Sequence, residues 1–163
     1  MKASDALLTR VRQWDEDALA EVYDEYAPAL YRYIYRLTGH QQNAQDIVAE
    51  TFHRFLVALR NGAGPETQLS AWLYRVAHNL VVDYYRRQPR QEPVPLDGDA
   101  AGAVVSDGKE NRIVREELAT QVRAALQLLT PLQQQVIALR YLEGMSNADV
   151  AHTVNRTVGA VKG

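Results

Sequence analysis

Apolar residues along this chain recur at intervals of three and four positions, which is the spacing of one face of an α-helix. No stretch alternates apolar and polar residues as a half-buried strand would. The first helical series is Leu19, Val22, Tyr23, Tyr26, Leu30, Ile34 and Leu37. Gly39 suits the left-handed position just past a helix end, and Pro28 predicts a kink or a break within the series. The pattern therefore predicts an all-α fold.

Two more helices are predicted before residue 88. One starts near Asn43, a favoured N-cap residue, and ends at Asn61-Gly62. Its apolar stripe is Ala44, Ile47, Val48, Thr51, Phe52, Phe55 and Leu59. The next runs from about Leu69 to Arg87 after the loop NGAGPETQ. Its expected buried face is Leu69, Trp72, Leu73, Val76, Leu80 and Tyr84.

The composition changes after Arg87. Residues 88–108 hold three prolines, three glycines and no aromatic residue. Such a segment cannot bury enough surface to order itself, so it predicts a flexible linker. Two small helical domains follow from this division, over 1–87 and 109–163. The second starts with a helix over about 109–129, and its expected buried face is Ile113, Leu118, Val122, Ala125, Leu126 and Leu129.

Cap residues divide the rest of the second domain. Thr130-Pro131-Leu132-Gln133 combines an N-cap, a proline at the first helical position and a capping-box glutamine, for a helix that ends at Gly144. Ser146 opens a short helix that stops at Asn155, and Thr157 opens the last one. Two short helices at this spacing indicate a helix-turn-helix, although a plain αα corner has the same spacing. The second helix would enter the major groove with the side chains of Thr157, Val158, Ala160 and Lys162.

The helix over 69–87 also has a polar face. This face offers Arg75, His78, Asn79, Arg86, Arg87 and nearby Arg90, interleaved with Tyr74, Tyr84 and Tyr85. Cations follow phosphates and aromatic rings stack on exposed bases, so the face is a candidate for nucleic-acid binding. The alternative is an ordinary solvated face whose basic last turn satisfies the helix dipole.

Asp46 and Glu50 lie one helical turn apart, with His53 close by. Glu-x-x-His on a helix is the di-iron bundle motif, but that site needs two such motifs and this sequence has one. An acidic docking face for a basic partner surface is the preferred interpretation. The sequence has no phosphate-binding glycine loop, no G-x-S-x-G and no H-E-x-x-H, so we expect no enzyme, no metal and no cofactor.

Composition limits the possible classes further. The chain has no cysteine, which rules out disulfides and suits a reducing, cytoplasmic environment. No apolar run is long enough for a membrane span, and we expect no secretory signal. The net charge is −2, and neither half is basic overall, so DNA binding must depend on local patches and on a carrier.

These segments resemble a known family. YAPALYRYIYRLTG, NAQDIVAETFHRFLVAL and LSAWLYRVAHNLVVDYYRR are similar to the region 2 domain of extracytoplasmic-function sigma factors, of the sigma-70 family. ALQLLTPLQQQVIALRYLEGMSNADVAHTVNRTVGAVK is similar to their region 4 domain. The resemblance implies a transcription initiation factor that binds core RNA polymerase and directs it to promoters by sequence-specific DNA binding.

The resemblance also implies residue roles. Asp46, Val48, Glu50 and Thr51 would bind the clamp helices of the beta-prime subunit, with Phe52 in the core. Arg75, Asn79, Arg86 and Arg87 would read and help melt the minus-ten element, with a flipped base held by the loop 61–68. The minus-thirty-five contacts would be Thr157, Val158, Ala160 and Lys162.

Further expectations concern partners and the chain end. The resemblance implies contact with the beta flap, regulation by an anti-sigma factor, and an acidic linker that mimics nascent RNA. Because the family's recognition helix continues well past the position of Lys162, it also implies a C-terminal truncation. Two alternatives stay open: a stand-alone helix-turn-helix regulator that needs no polymerase, and a small metalloenzyme built on Glu50 and His53.

Overall fold

A computed structural model of the chain describes residues 5–87 and 109–163, and every regular element within these residues is helical. The linker predicted over 88–108 lies outside the described residues. The helices α1 to α4 lie in the region predicted as the first domain, and α5 to α8 lie in the region predicted as the second. Within this part of the chain, no helix is both long enough and apolar enough to cross a bilayer.

The first domain opens with two helices, α1 (Asp5–Arg12) and α2 (Glu16–Thr38). The Asp15 carboxylate caps α2 by accepting from the backbone N–H groups of Asp17 and Ala18, at 3.0 and 3.2 Å. α2 continues through Pro28, so the predicted break is absent. Pro28 is exposed, which lets water satisfy the carbonyl that the missing N–H leaves unpaired. Gly39 ends the helix at φ +73°, as predicted.

The other two helices of this domain are α3 (Gln41–Arg60) and α4 (Leu69–Arg87). All seven residues of the predicted α3 stripe are buried, and the helix ends at Asn61 as expected. Its start was misplaced, because His40 and not Asn43 occupies the N-cap position. The Asn43 amide instead donates to the Tyr84 hydroxyl at 2.8 Å, an attachment to α4 that no local pattern could reveal.

The second domain contains α5 (Lys109–Gln127), α6 (Pro131–Ile137), a π-helical turn (Ala138–Leu142), α7 (Asn147–Val154) and α8 (Val158–Lys162). The Thr130–Gln133 capping box forms with both of its hydrogen bonds. Ser146 and Thr157 cap α7 and α8, and Asn155 takes the left-handed conformation between them. The helix-turn-helix plan is therefore present, but the π-helical turn was not predicted.

The predicted buried face of α5 is largely wrong. Ile113, Leu118 and Val122 are 61, 58 and 41% exposed, whereas Leu126 is buried. Apolar spacing identified the helix but could not supply the element that would cover it. α5 meets α2 and buries only its C-terminal part there.

The two domains pack against each other and are not separate bodies. α4 lies against α7, and α2 lies against α5. One contiguous apolar cluster joins the core of the first domain to Leu126, Ala138, Leu139 and Val150 of the second. Small domains bury a low fraction of their surface alone, and here the buried apolar residues of the second domain belong to the same cluster as those of the first.

Candidate nucleic-acid interface

The four polar residues of α4 that sequence reasoning assigned to DNA lie on the surface. Arg75, Asn79, Arg86 and Arg87 are all exposed. At about 100° per residue, Arg75, Asn79 and Arg86 fall within roughly 40° of one another on the helix, so they form a single stripe. Arg86 and Arg87 lie in the last turn, where cations also favour the helix dipole. The geometry can present positive charge and amide donors along one line of backbone phosphates.

Two neighbours of this stripe were placed on the wrong face. Tyr74 and His78 are 4 and 2% exposed, so neither offers a ring to a base. The Tyr33 and Tyr74 rings pack edge to face, with centroids 5.2 Å apart. The spacing of apolar residues in α4 predicted only one buried face. It could not show that α6 and α7 pack over a second face, where Tyr74 and His78 lie.

The tyrosines at the end of α4 anchor the helix. The Tyr84 and Tyr85 rings pack edge to face with centroids 5.2 Å apart, and each is partly buried. The Tyr85 hydroxyl donates to the carbonyl of Leu37 at the end of α2. Burial raises the pKa of Tyr85 to about 12. These contacts fix the direction in which Arg86 and Arg87 leave the domain.

The acidic face of α3 points to solvent. The carboxylate of Asp46 accepts from Gln42 at 3.0 Å, and that of Glu50 accepts from Arg54 at 3.1 Å. Both acids are exposed. Val48 and Thr51 are 6 and 0% exposed and so lie beneath the face, not on it. Phe52 is buried as expected and packs against Tyr23.

Glu50 and His53 do not face an interior cavity. Their side chains are 46 and 68% exposed, and the His53 Nδ1 lies 3.9 Å from the nearer Glu50 carboxylate oxygen. Residues 5–87 and 109–163 hold no group of three His, Cys, Asp or Glu side chains placed to bind a metal ion. The outward direction of both side chains contradicts the inward-facing di-iron arrangement.

The predicted minus-thirty-five residues run from the N-cap of α8 to its last residue and are exposed. The Thr157 hydroxyl accepts from the Ala160 N–H at 3.1 Å, so this side chain caps the helix. Val158, Ala160 and Lys162 are exposed on the five residues of α8. In the small core behind them, Val150 and Ala151 are buried while Val154 and Val161 are partly buried.

Sequence reasoning missed a cleft of about 630 Å³ between α6 and α8. Its floor is apolar, with Leu132, Val136 and Ile137 among the lining residues. Arg140, Arg156 and Lys162 also line it. The apolar spacing of α6 could have indicated such a surface, because Leu132, Val136 and Ile137 lie on one side of that helix.

Sequence reasoning also missed a set of polar contacts between the domains. The Arg75 Nε donates to the carbonyl of Thr153, the last but one residue of α7, at 2.9 Å. The Arg123 Nε, on a side chain that is largely buried, donates to the carbonyl of Arg36 at 3.2 Å. Carbonyls in the last turn of a helix lack partners within it, so cationic donors from the other domain satisfy them.

His78 lies at the centre of this interface. Its Nε2 is 3.1 Å from the Pro131 carbonyl, and its Nδ1 is 2.9 Å from the Tyr33 hydroxyl. A carbonyl only accepts, so Nε2 carries the proton and Nδ1 accepts from Tyr33. Burial lowers the pKa of His78 to about 4. The interface therefore holds a neutral imidazole with both nitrogens hydrogen-bonded.

Glu143 completes the contacts between the domains. It follows the π-helical turn, and its side chain is 11% exposed. Its carboxylate accepts from the Tyr74 hydroxyl at 3.3 Å and pairs with Arg36 at 3.4 Å. Arg36 also donates to the Leu142 carbonyl at 2.6 Å. Burial raises the pKa of Glu143, although Arg36 and Tyr74 partly oppose the shift.

Comparison with known protein families finds two matches along this chain. Residues 22–91 match the family model for Sigma-70 region 2, and residues 119–163 match that for Sigma-70, region 4. These two stretches contain the predicted polymerase face, the minus-ten stripe and the helix-turn-helix.

Curated relatives agree with the family models. The sigma factor SigW of Bacillus subtilis is 30% identical over 165 residues, which cover 95% of this chain and 87% of SigW. The sigma factor BldN of Streptomyces coelicolor is 30% identical over 156 residues, and the match spans 96% of this chain but 59% of BldN. Both relatives carry the name ECF RNA polymerase sigma factor.

A solved structure shares the fold. CnrH, in complex with the cytosolic domain of CnrY, superposes with a TM-score of 0.69 at 23% identity, over 97% of this chain and 86% of CnrH. Sigma factors are transcription initiation factors and not enzymes, and they bind RNA polymerase and promoter DNA. The chain belongs to the extracytoplasmic-function sigma factors of the sigma-70 family.

Proposed function

We propose that this chain binds core RNA polymerase in the cytoplasm and directs it to promoters. The observation that carries the proposal is the separation of two charged surfaces on the first domain. Asp46 and Glu50 face solvent on α3, and the cationic stripe of Arg75, Asn79 and Arg86, with Arg87 beside it in the last turn, faces solvent on α4. One surface can bind the enzyme while the other binds DNA.

Polymerase docking depends on Asp46 and Glu50. Both carboxylates are exposed and held by neighbouring side chains on their own helix, so they are oriented before a basic partner arrives. Val48 and Thr51 contribute from beneath, because their burial fixes α3 against the domain. The beta-prime clamp helices are the partner that the family suggests for this face.

The docking assignment is tested with the double variant Asp46→Arg plus Glu50→Arg. We expect core enzyme binding to weaken by at least about tenfold, because two attractive contacts become repulsive. The matched control is Asp24→Arg plus Glu117→Arg, which changes charge equally at exposed acids on α2 and α5. Affinity is measured by fluorescence anisotropy with labelled chain. Equal binding by the variant and the control would refute the docking face.

Minus-ten recognition depends on the α4 stripe and the loop before it. Unstacking a base costs a few kcal/mol, and a pocket for the extruded base offsets this cost. The loop 61–68 is well placed to form such a pocket, because Pro65 is buried and its carbonyl accepts from Arg12 of α1 at 3.2 Å. This contact ties the loop to the rest of the domain.

The minus-ten assignment predicts a separation of two activities. The variant Asn79→Ala plus Arg86→Ala should bind core enzyme normally and should reduce open-promoter formation by about tenfold or more, since base and phosphate contacts are lost. Permanganate footprinting of the melted strand measures this reduction. A gel shift with and without polymerase distinguishes this function from that of a stand-alone operator binder, which would bind duplex DNA without the enzyme. Unchanged melting would refute the stripe.

The second domain supplies the proposed contacts with the minus-thirty-five element. Val158, Ala160 and Lys162 are exposed along α8, after the Thr157 cap, and we assign them to the minus-thirty-five element. Lys162→Ala should lower affinity for all duplex sequences alike if it binds phosphate. Loss of discrimination at one base pair would instead indicate a base contact.

We also propose an anti-sigma partner that covers these surfaces. The structural neighbour CnrH is held in complex with the cytosolic domain of CnrY, which supports this kind of partner for a chain of the same fold. Such a partner should compete with core enzyme for the chain. If a candidate partner binds without displacing core enzyme, it does not act in this way.

A further inference from the structure

We propose that two copies of this chain pair through the outer face of α5 and form a weak parallel dimer. The surface involved is the α5 seam, which consists of Val114, Leu118, Val122 and Ala125. All four residues are exposed, and the first three are 62, 58 and 41% exposed. The pairing does not depend on the proposed function, because the α5 seam carries none of the residues assigned to polymerase or DNA.

The α5 seam forms one continuous line along the helix. Its members follow one another at intervals of four, four and three residues, so at about 100° per residue they fall within roughly 80° of one another. At about 1.5 Å per residue, the line is about 17 Å long. Single exposed apolar residues are ordinary on a protein surface, whereas a contiguous patch marks a site of interaction. The α5 seam is therefore a surface that a second helix can cover.

The opposite side of α5 fixes the direction in which the seam points. Arg123 is 6% exposed, and its Nε donates to the Arg36 carbonyl at the end of α2 at 3.2 Å. Arg123 lies about 140° from Leu118 around the helix. Rotation of α5 that turned the seam inward would break this contact, so the seam stays on the outside of the molecule.

The charges beside the α5 seam identify the partner. Arg115 borders the seam on one side and Glu117 on the other, about 160° apart around the helix, and both are exposed. A membrane surface or a nucleic acid would require an excess of cations here. One charge of each sign instead suits a protein helix that presents the opposite order of charges, and a second copy of α5 does so when the two helices run parallel.

The direction of pairing follows from the same two charges. In a parallel pair, the Arg115 border of one copy meets the Glu117 border of the other, so opposite charges face each other across the seam. In an antiparallel pair, each border would meet its own copy and like charges would repel. The charges therefore favour a parallel pair.

The length of the α5 seam sets the strength of the dimer. A line of about 17 Å buries less than the roughly 1,200 Å² of total surface at which stable complexes begin, which places the pair among weak interfaces. We expect a Kd on the order of tens of micromolar. The chain should be monomeric near 1 μM and largely dimeric near about 200 μM.

The first test is the oligomeric state of the full chain without polymerase or DNA. Sedimentation velocity over about 1 to 200 μM should show the wild type change from monomer to dimer. Val114→Glu plus Leu118→Glu should stay monomeric. The matched control, Val57→Glu plus Tyr141→Glu, replaces apolar residues that are 42 and 74% exposed elsewhere, and it should still dimerise. A wild type that stays monomeric, or equal association by the two variants, would overturn the proposal.

Charge reversal tests the pairing of the borders. Arg115→Glu alone and Glu117→Arg alone should each raise the dimer Kd by roughly three- to tenfold, because like charges then meet across the seam. The combined variant Arg115→Glu plus Glu117→Arg should restore the wild-type Kd, because opposite charges meet again. Single variants that associate as the wild type does, or a combined variant no better than the single ones, would overturn the parallel pair.

Cysteine cross-linking measures the register of the two helices. The sequence has no cysteine, so one introduced thiol reports on one position. In a parallel pair each seam residue faces its own copy, so Val114→Cys and Ala125→Cys should each form a disulfide-linked dimer on mild oxidation. Ala20→Cys, exposed on α2, controls for random collision and should stay monomeric. Cross-linking at one end of the seam only, at neither end, or equally at Ala20 would overturn the proposal.

Discussion

The two domains differ in how completely they bury their apolar residues. Of the twelve largest fully buried side chains among the described residues, Leu139 alone belongs to the second domain. The second domain instead exposes Ile113, Leu118, Leu128 and Tyr141 by 58 to 89%. The first domain thus has an interior of its own, whereas the second obtains its interior by packing on the first and keeps a broad apolar surface.

The largest expected effect is in the interior of the first domain. Phe55 is 1% exposed and packs against Trp72 of α4, with ring centroids 5.6 Å apart. Phe55→Ala should lower the free energy of unfolding by about 3 to 5 kcal/mol, because it leaves a cavity and removes aromatic contacts. Urea denaturation followed by circular dichroism measures this loss. A change below about 1 kcal/mol would contradict tight packing around Phe55.

The next effect concerns the interface, and it depends on pH. The pKa of His78 is lowered to about 4 in the folded chain, against about 6.5 when unfolded, so the unfolded chain binds more protons between these values. Stability conferred by neutral His78 is complete above about pH 6.5 and is lost as the pH falls toward 4. The loss should reach about 2 kcal/mol at pH 5.

The His78 prediction needs a reference because Glu143 titrates nearby. Burial raises the pKa of Glu143, which contributes the opposite pH trend. The difference in unfolding free energy between wild type and His78→Gln cancels that contribution. This difference should shrink steadily from pH 7 to pH 4.5 in urea titrations. A pH-independent difference would contradict the neutral, buried imidazole.

The smallest effect is expected on the exposed stripe of α5. Ile113→Ser plus Leu118→Ser removes apolar side chains that are about 60% exposed, so the free energy of unfolding should change by less than about 0.5 kcal/mol per site. Binding of a hydrophobic dye should fall at the same time. A loss of several kcal/mol would show that another part of the chain covers this face.

Local patterns predicted local structure well. The α3 stripe, the ends of α4, the Thr130 cap and the Asn155 turn follow from residue spacing and cap chemistry, and the structure confirms each of them. Asp46 and Glu50 were correctly placed on the surface. All these features depend on residues within about one helical turn of one another.

The errors share one physical cause, which is contact between residues far apart in the chain. His78 and Tyr74 are polar-tipped residues off the apolar stripe of α4, and only the arrival of α6 and the π-helical turn buries them. Asn43 was expected to cap α3 but instead binds Tyr84. The α5 stripe was expected to be buried, yet no described element covers its N-terminal half.

Gly39 joins two requirements at a single backbone position. Its φ of +73° is one that residues with a Cβ rarely adopt, and an added Cβ would lie 2.6 Å from the guanidinium carbon of Arg123. The end of α2 and the Arg123 guanidinium therefore compete for the space that a Cβ at residue 39 would fill. Any replacement at this residue would strain the turn and force that guanidinium to shift, so the position of Arg123 against the end of α2 depends on the absence of a side chain.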